Sequence, residues 1–305
     1  MENARFPGRW EKNFPVQRLN TWRIGGTAEY VYWPSDTAAL SAFLQWSHAQ
    51  AYPVRLIGRG SNILMPDGYL AGVLVVTTAL DGIEWLPDGV RAETGYALPR
   101  LARQAAERGL KGLEFAWGIP GTVGAATILN AGAHGADFGS LVREAHVLSL
   151  RAAGYVVEKV PAAEITFAYR DSSLKTAGQW ILAVDLTLAP GADPETLKRQ
   201  GREYVARRRQ AYPLELPNAG SVFRNPPLDT AGRLIEAAGW KGYRCGDAQV
   251  SAKHANFIVN LGGATAADVR TLIADIRADV YQKFGVDLSP EVVIWNENEE
   301  ELPLI

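Results

Sequence analysis

A chain of 305 residues, 47% apolar and 21% charged, has the length of about two domains, each able to bury a core of its own. Its net charge of −2 gives no general attraction to nucleic acid or an anionic membrane. The single cysteine, Cys245, excludes an intrachain disulfide framework and fits a reducing cytoplasm.

The charged stretch Met1 to Phe14 lacks the apolar centre of a secretory signal. The most apolar run, Leu70 to Leu80, is too short to span a bilayer, so a folded cytoplasmic protein is expected. Residues 1–20 read as an irregular N-terminal segment. Ala28 to Trp33 is extended. Ser35-Asp36 opens a helix carrying Leu40, Phe43 and Leu44 at helical spacing. Strands follow at Val54 to Ile57, Leu74 to Val76 and Val90 to Thr94, then a helix from Leu98 to Arg108 that Gly109 is placed to end. Further strands are expected at Ala145 to Leu150, Tyr155 to Val160 and Ile181 to Leu188. This is an α+β order rather than strict βαβ alternation.

Pro190 to Pro194 reads as a linker, and Lys198 to Gln210 as a basic helix whose arginines form a solvated face. Ala266 to Phe284 is the clearest helix. Thr265 and Asp268 suggest a capping box, Val269, Leu272, Ile273, Ile276 and Val280 make one apolar stripe, and Gly285 stops it. Pro290 to Trp295 is a last strand, before an acidic tail. The expected division is an N-terminal segment over 1–20, a two-lobed domain over 21–190, a second domain over 195–296 and a tail over 297–305.

Two glycine turns stand out. Trp117 to Ala126 has Gly118, Gly121 and Gly124 at every third position, and runs on to Asn130-Ala131-Gly132-Ala133-His134. So little bulk lets a ligand approach the backbone, whose N–H groups suit a pyrophosphate; a buried turn of small residues has the same composition. The spacing is not that of a Rossmann fingerprint. Gly58-Arg59-Gly60-Ser61-Asn62 is the second turn, with two side chains that hydrogen-bond phosphate. A dinucleotide cofactor would use both. The four histidines lack metal-ligand spacing, so no metal is expected, and no G-x-S-x-G elbow marks a serine hydrolase.

An ordered series of motifs then carries a resemblance: Asn20-Thr21 with Gly25-Gly26, both glycine turns, Tyr169-Arg170-Asp171-Ser172, Ala219 to Pro226, Gln249 to Phe257, and Pro290-Glu291-Val292. Together these resemble the UDP-N-acetylenolpyruvoylglucosamine reductase (MurB) family over nearly the whole chain. Without an inserted tyrosine-bearing loop between Pro226 and Gly246, the sequence is similar to the shorter family type.

The resemblance implies an α+β fold: a two-lobed FAD-binding domain of the vanillyl-alcohol-oxidase type, then a smaller α+β substrate domain. It implies NADPH-dependent reduction of UDP-N-acetylglucosamine enolpyruvate to UDP-N-acetylmuramate, for peptidoglycan synthesis. FAD would be held without a covalent link by Gly58, Arg59, Gly60, Ser61, Asn62, Gly118, Ile119, Gly121, Thr122, Val123, Gly124, Ala125, Asn130, Ala131 and Gly132. Arg170 would stabilise the enolate and Ser221 would supply the proton. Glu291 would act as a second donor or by polarising the enolate. Tyr169, Arg209, Arg224, Asn225 and His254 would meet the substrate. Two departures bear on that side: Tyr212 stands where family members often have Gln, and Asn218 where Ser is common. The only partner expected is the small-molecule substrate. An FAD-dependent oxidase or dehydrogenase of the same fold, or a non-catalytic nucleotide-sugar-binding protein, are the other readings.

Overall fold

The computed structural model describes residues 5–152, 154–175 and 179–296; the acidic tail lies outside them. The first lobe comprises β1 (Gly8–Pro15), β2 (Thr27–Pro34), α1 (Thr37–Ala49), β3 (Val54–Ile57), β4 (Ile63–Leu64) and β5 (Tyr69–Val76). Its sheet has the order β1-β2-β5-β3, with β1 antiparallel to β2 and the other pairs parallel. Asp36 caps α1 by accepting the Ala39 N–H at 2.7 Å.

Strand β1 corrects the expectation of an irregular segment over 1–20. Trp10 stacks on Tyr32, ring centres 4.1 Å apart, while Phe14 meets Trp33 edge-on. Tyr32 and Trp33 belong to the cores on opposite faces of the sheet. Two strand residues four apart normally share a face. Asn13, at φ 53°, breaks the alternation and so hides the strand's period.

The second lobe runs through β6 (Ile83–Leu86), β7 (Gly89–Glu93), α2 (Leu98–Glu107), α3 (Val123–Ile128), β8 (Gly132–Ala133), β9 (Ala136–Asp137), β10 (Val142–Arg151), β11 (Gly154–Pro161), β12 (Phe167–Ala168), β13 (Asp171–Ser172) and β14 (Gln179–Thr187). Its main sheet is antiparallel, in the order β11-β10-β14-β7-β6.

Helix α4 (Pro194–Ala211) follows, capped by Asp193, whose carboxylate accepts the Thr196 N–H at 2.9 Å. It lies beyond the linker expected at 190–194, yet it packs on the second lobe: Leu197 joins the core that the two lobes share, and α4 contacts α2. A Cβ placed on Gly201 would lie 2.2 Å from Trp117 Cδ2. The change of core therefore falls after α4, since the C-terminal core begins at Ala219 and also takes in Trp22, Ile24 and Leu64. We expect Gly201→Val to lower stability by about 1–3 kcal/mol through overpacking, read from the midpoint of denaturant unfolding. An unchanged midpoint would contradict this packing.

The C-terminal part holds α5 (Ala231–Ala237), β15 (Arg244–Cys245), β16 (Ala248–Val250), β17 (Ile258–Asn260), α6 (Ala266–Phe284) and β18 (Val293–Ile294). Helix α6 has the expected capping box between Thr265 and Asp268, and ends at left-handed Gly285, φ 68°. Several connections fix this part to the first lobe. Asp67 accepts the Ala266 and Ala267 N–H groups at 2.7 and 3.0 Å, and β18 pairs in parallel with β4. The C-terminal strand thereby brings Glu291 back to the turn that follows β3.

Candidate active site

The two glycine turns meet. A Cβ on Gly58 would come within 2.6 Å of Thr122 Oγ1, and one on Gly60, at φ 59°, within 2.2 Å of the Leu19 carbonyl. Only glycine fits either place. Ser61 Oγ donates to the Pro120 carbonyl at 3.2 Å. The turns border a cavity of about 420 Å³, within the usual range for small-molecule sites. Among the described residues, the backbone N–H groups of Arg59, Gly60, Ser61, Asn62, Gly121 and Thr122 donate to no other protein group. Donors left unspent on a wall without bulk fit a diphosphate-bearing cofactor such as FAD.

Of the expected cofactor residues, Gly58, Arg59, Gly60, Ser61, Asn62, Gly118, Ile119, Gly121, Thr122, Ala125, Ala131 and Gly132 line the cavity. Val123, Gly124 and Asn130 do not. Val123 is fully buried in the core that the two lobes share. A Cβ on Gly124 would lie 2.0 Å from Thr94 Oγ1, so that glycine serves close packing. Asn130 braces the loop from behind, donating to the Ala168 carbonyl at 3.0 Å and accepting the Gly139 N–H at 2.8 Å.

Arg170, Ser221 and Glu291, which come from three well-separated parts of the sequence, line the same cavity. Arg170 occupies the tip between β12 and β13 at φ 58°, a costly conformation for a residue with a side chain. Its Nε stands 2.8 Å from Glu291 Oε1, as a close ion pair with the N–H off the line rather than an aligned hydrogen bond. Its Nη2 donates to the Gly132 carbonyl at 2.9 Å.

Ser221 and Glu291 are carried by neighbouring segments. The Glu291 N–H donates to the Val222 carbonyl at 2.8 Å. Asn256 clamps the serine segment by accepting the Phe223 N–H at 2.9 Å and donating to the Phe223 carbonyl at 2.8 Å. Asn62 Nδ2 reaches the Glu291 carbonyl at 3.1 Å and ties this pair to the first glycine turn. The Ser221 hydroxyl makes no hydrogen bond among the described residues, so it is available to a ligand. Burial pushes the Glu291 carboxyl above the ordinary range, against the opposing pull of Arg170 and Arg224.

Helix α4, of which the sequence reading placed only Arg209 at the site, supplies a wall. Tyr204, Arg207, Arg208, Ala211 and Tyr212 line the cavity, on the three- and four-residue spacing of one helix face. The arginines expected on a solvated face include two in the cleft. The Arg208 guanidinium lies 5.1 Å from the Tyr212 ring centre and has no carboxylate partner among the described residues. Burial lowers its pKa, and Arg170 adds to that. His134, also at the cavity, stacks on Tyr204 with ring centres 3.9 Å apart, and burial, Arg207 and Arg208 lower its pKa. Arg59, Arg170, Arg207 and Arg208 face a single carboxylate, Glu291, across the cavity. The cleft is thus cationic in a chain of net negative charge, which suits anionic ligands.

None of the five residues expected on the substrate side lines the cavity. Tyr169 is 54% exposed, and Arg209 is an exposed residue whose carbonyl accepts Lys253 Nζ at 2.7 Å. Arg224 donates to the Arg170 carbonyl at 3.2 Å. Asn225 accepts the Ala231 N–H at 3.1 Å at the start of α5. His254 sits edge-on to Tyr212, ring centres 5.2 Å apart, with its pKa lowered by burial. Phe257, behind the same rings, reaches the cavity instead.

A two-lobed fold around such a cleft defines an FAD-binding protein, and the family model described as an FAD binding domain matches residues 28–158. A second, described as the C-terminal domain of UDP-N-acetylenolpyruvoylglucosamine reductase, matches residues 212–295. The chain belongs to the UDP-N-acetylenolpyruvoylglucosamine reductase family. It is 47% identical to UDP-N-acetylenolpyruvoylglucosamine reductase 2 of Symbiobacterium thermophilum over 300 residues, covering 96% of this chain and 94% of that one. It is 43% identical to the reductase of Moorella thermoacetica, covering 93% of each. The crystal structure of the enzyme from Thermus caldophilus superposes with a TM-score of 0.78 at 30% identity, covering 95% of this chain and 100% of that one.

Proposed function

We propose that this chain reduces UDP-N-acetylglucosamine enolpyruvate to UDP-N-acetylmuramate with NADPH, as a step of peptidoglycan precursor synthesis. The observation that carries the reading is the convergence of Arg170, Ser221 and Glu291 on one cationic cavity walled by both glycine turns. Bound along those turns, FAD supplies the hydride acceptor for NADPH and the donor for the enolpyruvyl group.

The chain's own residues then have separate tasks. As hydride reaches the terminal carbon of the double bond, charge moves toward the carboxylate, where Arg170 stands as a fixed cation. The neighbouring carbon takes a proton from Ser221, whose hydroxyl is held by the Asn256-clamped segment. Glu291 fixes the Arg170 fork and, with its pKa raised, retains a proton more readily than an ordinary glutamate. Arg207 and Arg208 line the cavity, which supports them as cations for the diphosphate of the nucleotide. No described helix is long and apolar enough to cross a membrane, and a cytoplasmic site of action fits a nucleotide-linked substrate.

The test is direct. The purified protein carries a flavin spectrum and consumes NADPH only when the enolpyruvyl nucleotide is added. Consumption independent of that nucleotide would favour an oxidase of the same fold.

A pH experiment addresses Glu291 separately. A folded-state pKa above the ordinary glutamate value of about 4.3 favours folding below that pH, and the contribution is lost as pH rises through the raised value. Glu291→Gln removes the dependence. Its unfolding midpoint relative to wild type therefore rises as the pH goes from about 4 to about 7; a falling difference would contradict the burial.

A further inference from the structure

Arg224 does not line the cavity, yet it is hydrogen-bonded to Arg170, a cavity residue at φ 58°. We propose that Arg224 is a positioning residue, whose guanidinium fixes the left-handed Arg170 backbone and so holds the Arg170–Glu291 pair in place at the cleft.

Three observations converge on this. Arg224 Nη2 donates to the Arg170 carbonyl at 3.2 Å, across the junction between the β12–β13 tip and the C-terminal part. The carbonyl it holds belongs to the residue at φ 58°, a conformation that needs surrounding bonds to persist. Arg224 is itself anchored next to Glu291: its N–H donates to the Ser289 carbonyl at 2.9 Å, two residues before the glutamate. Its Nε is buried and bonds to nothing among the described residues, so the charge is not spent on a carboxylate partner. One side chain thus fixes the position of the Arg170 main chain and sets the field at Glu291. Arg170 and Arg224 both draw the Glu291 carboxyl down, against its burial.

The idea rests on the reductase reading for its chemistry, and the experiment separates the two. Flavin-loaded full-length Arg224→Met, Arg224→Gln and Arg224→Lys are compared with wild type for flavin content, melting temperature and each half-reaction by stopped flow. The Glu291 carboxyl is titrated by 13C NMR. Arg224→Met keeps its flavin and slows the half-reaction with the enolpyruvyl nucleotide by roughly tenfold to a hundredfold, the scale of a small misplacement. Its Glu291 titrates at higher pH, because one of two opposing cations is gone; Arg224→Lys returns the titration toward wild type. Should the methionine variant fail to fold, Arg224→Gln, which removes the charge but keeps a donor, shows the same upward titration. A wild-type rate in the second half-reaction, or an unmoved Glu291 titration, overturns the proposal. If wild type itself does not turn over the enolpyruvyl nucleotide, the reductase reading fails, while the titration still decides the role of Arg224.

Discussion

In Ser221→Ala, the half-reaction with the enolpyruvyl nucleotide is expected to fall by about 10²- to 10⁴-fold, the usual range for a lost general acid. The half-reaction with NADPH should keep its wild-type rate. The asymmetry follows from the proton inventory: only the second half-reaction places a proton on carbon. In the structure the hydroxyl lines the cavity and is bonded to nothing else described, so its removal disturbs no structural contact. The segment that carries it is held through the Phe223 main chain by Asn256, and that clamp survives the substitution. Stopped-flow measurement of each half-reaction decides the matter. Equal slowing of both would remove Ser221 from the role of acid, because a general distortion of the cleft would then explain the loss.

Arg170→Lys, which keeps the charge, should nevertheless lose about 10²- to 10³-fold in the same half-reaction. The guanidinium is shared among three directions. Nε faces Glu291 at 2.8 Å and Nη2 holds the Gly132 carbonyl at 2.9 Å, which leaves Nη1 and the remaining Nη2 proton for the substrate carboxylate. A lysine ammonium has three donors on one atom and cannot span those positions. The variant would also leave Glu291, already raised by burial, with a less closely matched partner. Near wild-type turnover in Arg170→Lys would mean that charge alone suffices and that the fork geometry has no part in the reaction.

Much of this site was legible in the sequence, for reasons that differ by residue. Gly58 and Gly60 are required by backbone conformation or close approach, and such requirements leave a visible signature in composition. Arg170, Ser221 and Glu291 were legible only through the family motifs, since nothing in periodicity brings together residues from a β12–β13 tip and two C-terminal segments. Helix α6 was readable from its cap, stripe and stop, because all three are local. Strand β1 was not, because left-handed Asn13 moves its aromatic residues to opposite faces.

The basic helix shows where local reading gave the wrong answer for a physical reason. Its arginines look solvated when counted, but Gly201 lets α4 lie against Trp117. That contact turns Tyr204, Arg208 and Tyr212 toward the cleft, a helical spacing present in the sequence and masked by the charge run. Arg209, expected on the substrate side, is one position out of phase with that face and off the cavity wall. Arg224 and His254 lie behind the wall that they were expected to form.

The central claim is that one cavity supports both halves of a reductase cycle. It is tested most directly by sequential anaerobic mixing of the flavin-loaded protein, with the visible flavin absorbance followed throughout. The absorbance should bleach with NADPH and return when the enolpyruvyl nucleotide is added, in step with appearance of the product two hydrogens heavier. Bleaching without any return on addition of the nucleotide would contradict the assignment.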